Sequence, residues 1–174
     1  IDFSIPDSAV CNIKQCFDTN IPVVCGTTGW LEHYNEMVAL CESKNGSFIY
    51  GSNFSLGVNI FFELNAYLAK MMANLKQYNV SMEEIHHTQK LDAPSGTAIS
   101  LAKGIIENSD YTGWTLDNPS EKDILIDAKR IENVPGTHSV FYDSSVDQIE
   151  IKHTAHSREG FALGAVIAAE WLAN

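Results

Sequence analysis

The sequence predicts an α/β protein in two parts: the C-terminal part of a parallel sheet layered with helices, then an α+β half built on a mixed sheet. Three observations carry this expectation. Strand-like and helix-like stretches alternate with short connections as far as about residue 76. The stretch Ile21–Cys25 is apolar throughout, as a parallel strand covered on both faces must be. After Val80 strands dominate, and Gln148–His153 alternates polar and apolar residues in the manner of a sheet with one wet face.

Taken in order, the first half reads as a strand end at 1–4, a helix over 7–18, the strand Ile21–Cys25, a helix over 31–43, the strand Phe48–Tyr50 and a long helix over 57–76. The second half reads as the strand Val80–His86, a helix over 97–108, strands at Ile124–Ala128, Ser139–Tyr142 and Gln148–His153, and a closing helix over 161–173. Asn108 to Lys122 is polar and contains Pro119, and reads as a loop. The domain division expected is 1–53 with 159–174 packing back on it, and 54–158 as a second domain. The chain opens with Ile1 on what reads as a strand end, so further strands are expected upstream.

With 174 residues, 45% of them hydrophobic, the chain can bury a sizeable core. A net charge of −11 and a pI near 4.8 leave no basic stripe for phosphate neutralisation, so no nucleic-acid partner is expected. The apolar run 161–173 is interrupted by Glu170 and too short for a bilayer, so no membrane association is expected. Cys11, Cys16, Cys25 and Cys41 form no Cys-x-x-Cys pair and fit reduced thiols of a cytoplasmic protein, with no metal site expected.

The densest chemistry lies in His86-His87-Thr88-Gln89-Lys90-Leu91-Asp92-Ala93-Pro94-Ser95-Gly96-Thr97-Ala98. Two imidazoles and an ammonium stand a few residues before a helix whose first turn is Ser-Gly-Thr, and first-turn amides attract a carboxylate or phosphate. Ser95 and Thr97 can add hydroxyls, and Asp92 reads as a loop-ordering residue. Proton transfer to a bound dicarboxylate suits such a set. Elsewhere, Gly26-Thr27-Thr28-Gly29 and Gly51-Ser52-Asn53-Phe54 follow two strands at their carboxyl ends, where open α/β sheets place ligands. No Gly-x-Gly-x-x-Gly is present. His138, His153, His156 and Arg158 are ambiguous, with Arg158 a candidate clamp for a carboxylate.

The run Glu84 to Ala98 fills the signature Glu-x-His-His-x-x-Lys-x-Asp-Ala-Pro-Ser-Gly-Thr-Ala, and on it the chain resembles the 4-hydroxy-tetrahydrodipicolinate (dihydrodipicolinate) reductases of lysine and diaminopimelate synthesis. The resemblance extends through 1–6, 26–29, 52–59, 134–137 and 157–158 with the helix that follows. It implies a Rossmann-type nucleotide domain beside a substrate-binding and oligomerisation domain, a homotetramer, and NADH or NADPH as cofactor. It further implies His86 as acid/base and Lys90 as proton donor, His87, Ser95, Gly96 and Thr97 at the substrate, and Gly26, Thr27, Thr28, Gly51, Ser52, Asn53 and Phe54 at the cofactor. The family's glycine-rich phosphate loop has no counterpart within the chain, so the 174 residues alone are expected to be weakly active or inactive. Two other readings compete: a related reductase using Cys25 as nucleophile, and a non-catalytic dicarboxylate-binding or oligomerisation fragment.

Overall fold

The computed structural model describes residues 1–173. In chain order the elements are α1 (Pro6–Asp18), β1 (Val23–Cys25), a 3-10 turn (Leu31–His33), α2 (Tyr34–Ser43), β2 (Phe48–Tyr50), α3 (Leu56–Met72), β3 (Asn79–His86) and α4 (Gly96–Ile106). There follow β4 (Gly113–Thr115), β5 (Asp123–Arg130), β6 (Gly136–Asp143), β7 (Gln148–Ala155) and α5 (Glu159–Ala173). They fall into two compact units, Ile1–Leu56 together with the closing helix, and Gly57–Arg158.

In the first unit β1 and β2 pair in parallel, and Asp2 bridges to Cys25 on the other side of β1. Pro6 opens α1, where its missing N–H costs nothing and its fixed φ already suits a helix. Ala9, Ile13 and Phe17 follow at four-residue spacing, form one stripe, and pack with Val23, Cys25, Trp30 and Met37 on one face of the sheet. On the other face Val24 and Phe54 meet Ala165, with Ala168 and Ala169 beside them. Gly164 is required there: a Cβ on it would stand 1.6 Å from the Phe54 carbonyl oxygen. Helices therefore cover both faces of β1, which is why all three of its residues are buried.

The expected strand Ile21–Cys25 starts late, at Val23. Asn20 turns into the left-handed region at φ 55°, and the Ile21 N–H closes α1 by donating to the Cys16 carbonyl at 2.8 Å. Pro22 has no N–H to offer a ladder.

The second unit is a five-stranded sheet in the order β4-β5-β3-β6-β7, with β5 parallel to β3 and β6 antiparallel to it. α3 and α4 pack on one face through Phe61, Ala69 and Met72, and Ala98, Leu101, Ala102 and Ile105. Asn65 of α3 joins the two helices, its side-chain amide donating to the Leu101 carbonyl at 2.9 Å. The stretch expected to be a loop from Asn108 to Lys122 contains β4, three residues pairing in parallel with β5 at the sheet edge. Trp114 of β4 packs against the core, and that burial makes a strand of a segment too short and polar to show a period.

Period-two geometry decides what β3 presents to the helices. Val80, Met82, Glu84 and His86 are all buried on one face, so the row that begins as core ends, at the strand's carboxyl end, in a carboxylate and an imidazole.

Candidate active site

Register assembles the site. Glu84 lies opposite His138 in the β3–β6 pair, and His86 lies opposite Arg130 in the β3–β5 pair, with the Ile131 N–H donating to the His86 carbonyl at 2.8 Å. The Glu84 side chain is fully buried and surrounded by donors. Its Oε2 accepts from the Ser95 N–H at 3.0 Å and lies 3.4 Å from His86 Nδ1 and 3.7 Å from His138 Nε2. Its Oε1 accepts from Arg130 at 3.0 Å. Burial pushes this carboxyl up, but the facing His86 ring and the hydrogen bonds from Ser95 and Arg130 together outweigh it and bring it down to about 2.

The loop from His87 to Pro94 hangs between fixed points. Arg130 reaches over to the Asp92 carbonyl at 2.6 Å, and the Lys90 ammonium donates to both carboxylate oxygens of Asp92 at 2.8 Å. This pairing, made first through the Lys90 hydrogen bond, holds the Asp92 carboxyl below its usual range. The Ala93–Pro94 peptide is cis.

Ser95 caps α4: its backbone is extended and its hydroxyl accepts from the Ala98 N–H at 3.2 Å. The same hydroxyl lies 3.0 Å from His138 Nε2 and is buried. Ser95 thus acts as a cap whose hydroxyl is engaged inside the unit by the Ala98 N–H and His138. The cap and Glu84 use the amides of Ala98 and Ser95, which leaves those of Gly96 and Thr97 without a partner among the described residues. Gly96 is exposed, and a Cβ placed on it would meet nothing within 4 Å. His86 is almost buried and edge-on to His138, ring centroids 5.0 Å apart. Gly136 lies close beside its ring: a Cβ there would stand 3.2 Å from His86 Nε2, a tight contact. His87 is half-buried, its Nδ1 without a hydrogen-bond partner among the described residues.

His138 was ambiguous in sequence and proves to be an internal group. Burial, reinforced by the neighbouring His86, drives it down to about 4, so it is neutral at ordinary pH. Arg130 was not singled out at all, since a lone arginine ending a strand carries no local signal. His153 lies on β7 with its ring near Phe61, while His156 and Arg158 are exposed. Glu84, His86 and His138 converge closely enough to hold a cation, yet Arg130 and the Ser95 amide already occupy the carboxylate, so the cluster is an internal hydrogen-bond net.

In the first unit the two strand-end turns are adjacent, joined by the Gly51 N–H donating to the Cys25 carbonyl at 3.1 Å. Gly26 sits beneath Phe3, where a Cβ would come within 2.1 Å of the ring. Thr27 is buried, its hydroxyl donating to Asp2 at 2.7 Å and accepting from the Ser4 N–H at 2.8 Å. Asn53 caps the following turn by accepting from the Ser55 N–H at 2.9 Å, and Phe54 is buried. Thr28 and Ser52 are exposed beside these turns. Phe3, unnoticed in sequence, is 57% exposed and edge-on to Phe54. An exposed ring with small residues at two parallel strand ends fits a flat, hydrogen-bonding cofactor ring.

A parallel α/β unit with small-residue turns at its strand ends, carried in one chain with a mixed-sheet unit holding a buried Glu84-His86-His138 cluster, defines a two-unit α/β protein. Family comparison gives the particular assignment. Residues 1–54 match the model of the dihydrodipicolinate reductase N-terminus and residues 57–174 that of the dihydrodipicolinate reductase C-terminus, and the chain belongs to this family. It is 62% identical over 173 residues to the 4-hydroxy-tetrahydrodipicolinate reductase of Christiangramia forsetii, covering 99% of this chain and 72% of that one. With the enzyme of the same name from Methanococcoides burtonii it shares 37% identity, over all of this chain and 67% of the relative. Among solved structures, a dipicolinate-bound dihydrodipicolinate reductase from a Paenisporosarcina species superposes with a TM-score of 0.76 at 24% identity, over 98% of this chain and 67% of that one, which supports the fold.

Proposed function

We propose that this chain carries the substrate site, and part of the cofactor site, of a reductase that converts 4-hydroxy-tetrahydrodipicolinate to tetrahydrodipicolinate in lysine and diaminopimelate synthesis. Family membership supports the reaction, and the open start of α4 beside His86, His87 and Lys90 is the observation that carries the site. The Gly96 and Thr97 amides, with the hydroxyl of Thr97, take one carboxylate of the substrate. Lys90 and His87 lie on the same loop and offer charge and a second hydrogen-bonding group. Lys90 donates a proton and His86 acts as acid/base as water leaves and the conjugated imine is reduced. A nicotinamide cofactor goes with the family and supplies the hydride; either NADH or NADPH suits this reading.

For the cofactor ring, Thr28, Ser52 and the backbone of Gly26 and Gly51 are the groups we favour, with Thr27, Asn53 and Phe54 holding the turns in shape. Residues 1–53 with 159–174 then serve the nucleotide and 54–158 the substrate and oligomer. A cytoplasmic homotetramer joined through the second unit's sheet is the assembly proposed; β7, an eight-residue edge strand, supports it. Among the described residues no helix is long and apolar enough to cross a membrane. Because no glycine-rich phosphate loop lies within these 174 residues, turnover by the chain alone is expected to be weak.

Calorimetric titration with pyridine-2,6-dicarboxylate, a planar mimic of the substrate, tests the proposal. Binding that falls on the order of tenfold or more in Lys90→Ala is the expected result, in line with loss of a charge-assisted contact. A folded chain that does not bind, or binds equally well without Lys90, counts against it.

A further inference from the structure

We propose that Glu84 is the positioning residue of the substrate site: one buried carboxylate that orients the His86 ring and, through the Ser95 amide, fixes the start of α4. The proposal rests on reading His86 as the acid/base and the start of α4 as the carboxylate site. Glu84 itself is fully buried and touches no substrate.

The His86 Nδ1 is buried and makes no well-aligned hydrogen bond, and Glu84 Oε2 at 3.4 Å is the acceptor facing it. Such contacts are commonly long before ligand binds and tighten in the complex. A neutral imidazole carries one proton, and the nitrogen that keeps it is decided by the acceptor facing the ring. With a carboxylate at Nδ1 the proton is held there, which leaves Nε2, on the Gly136 side, with its lone pair available. An aspartate performs the same service for the histidine of hydrolytic triads.

The second half of the role concerns α4. The same Oε2 accepts the Ser95 N–H at 3.0 Å, so the ring and the helix start are tied to a single atom. Ser95 is also held from its other side, where its hydroxyl meets His138 at 3.0 Å. Arg130 supplies the counter-charge that makes a buried carboxylate tolerable, and carries the constraint on to the loop through the Asp92 carbonyl. A shift of Glu84 would thus move the acid/base and the anion site together. A carboxylate that served only to stabilise the sheet would have no need to face the imidazole.

The test needs no turnover. In the chain labelled with 15N at its histidine rings, two-bond nitrogen–proton spectra show which nitrogen of each neutral ring is protonated, with His86→Gln used to assign the signal. The proposal expects the wild-type His86 ring to be the Nδ1–H form; finding Nε2–H overturns it, and this reading stands alone if a Glu84 variant fails to fold. In a folded Glu84→Met chain, which keeps no acceptor at the Oε2 position, the Nδ1–H preference should be lost, with affinity for pyridine-2,6-dicarboxylate falling about tenfold. An unchanged tautomer or unchanged affinity overturns the proposal. Failure of the functional reading is seen separately, as a wild-type chain that does not bind the dicarboxylate or a Lys90→Ala chain that binds it equally well.

Discussion

Two Gly-Thr pairs, Gly26-Thr27 after β1 and Gly96-Thr97 at the start of α4, look alike in sequence and have opposite reasons to exist. Gly26 is a glycine because the Phe3 ring occupies the space a side chain would need, and Thr27 turns its hydroxyl inward to Asp2. Among the described residues nothing lies within 4 Å of a Cβ placed on Gly96, and its amide and that of Thr97 have no partner. In the first pair small size serves the protein's own packing, while in the second it leaves room for something else. A glycine therefore marks a ligand site only when the space it leaves is empty, and that space is a property of the fold.

The contrast can be broken by adding a methyl. The largest effect is expected where the neighbour cannot give way. Gly164→Ala puts a Cβ 1.6 Å from the Phe54 backbone oxygen and should destabilise the first unit by about 3 kcal/mol, read by urea denaturation. A loss below about 1 kcal/mol would show that α5 can shift freely on the sheet.

The second effect separates His138 from its surroundings. Its folded value near 4, against an ordinary 6.5, means that the unfolded chain binds the extra proton first as pH falls. Stability from this group is thus fully present above pH 6.5 and declines as pH drops toward 4. Between about pH 6.5 and about pH 5 the loss should be on the order of 2 kcal/mol, and it should flatten in His138→Asn. Below 4.5 Glu84 adds its own decline as its carboxyl is titrated toward about 2, so the comparison belongs above that range.

The smallest pair of effects sharpens the comparison directly. Gly26→Ala meets first the half-exposed Phe3 ring, a side chain that can swing aside at a cost of about 1 kcal/mol. Gly96→Ala should leave stability within about 0.5 kcal/mol, since the residue sits in a first helical turn in open space, yet weaken pyridine-2,6-dicarboxylate binding. Equal binding by both glycine variants, measured by calorimetry, would remove the distinction.

The order of helices and strands was legible wherever apolar period and strand composition agreed, as in α1 with its Ala9-Ile13-Phe17 stripe and in β3 with its alternation. It failed at β4, whose three residues become a strand only by lying beside β5, and at Ile21-Pro22, where the helix-closing hydrogen bond and the proline pre-empt the ladder. In the candidate site, His86, Lys90 and the start of α4 could be picked out because they are close in sequence. Arg130 and His138 could not, because strand register brings them to Glu84 from 46 and 54 positions away.

By itself, then, the sequence determined the family and the kind of chemistry, since local spacing suffices to place two imidazoles and an ammonium ahead of a helix start. Only the tertiary structure decided which polar groups face a ligand and which face each other. Ser95 caps α4 with its hydroxyl, Asp92 is the partner of Lys90, and Glu84 is the acceptor at the centre of the cluster. The physical reason is that a hydrogen bond is spent once. Whether a side chain has one left to offer depends on neighbours that pairing between distant strands supplies.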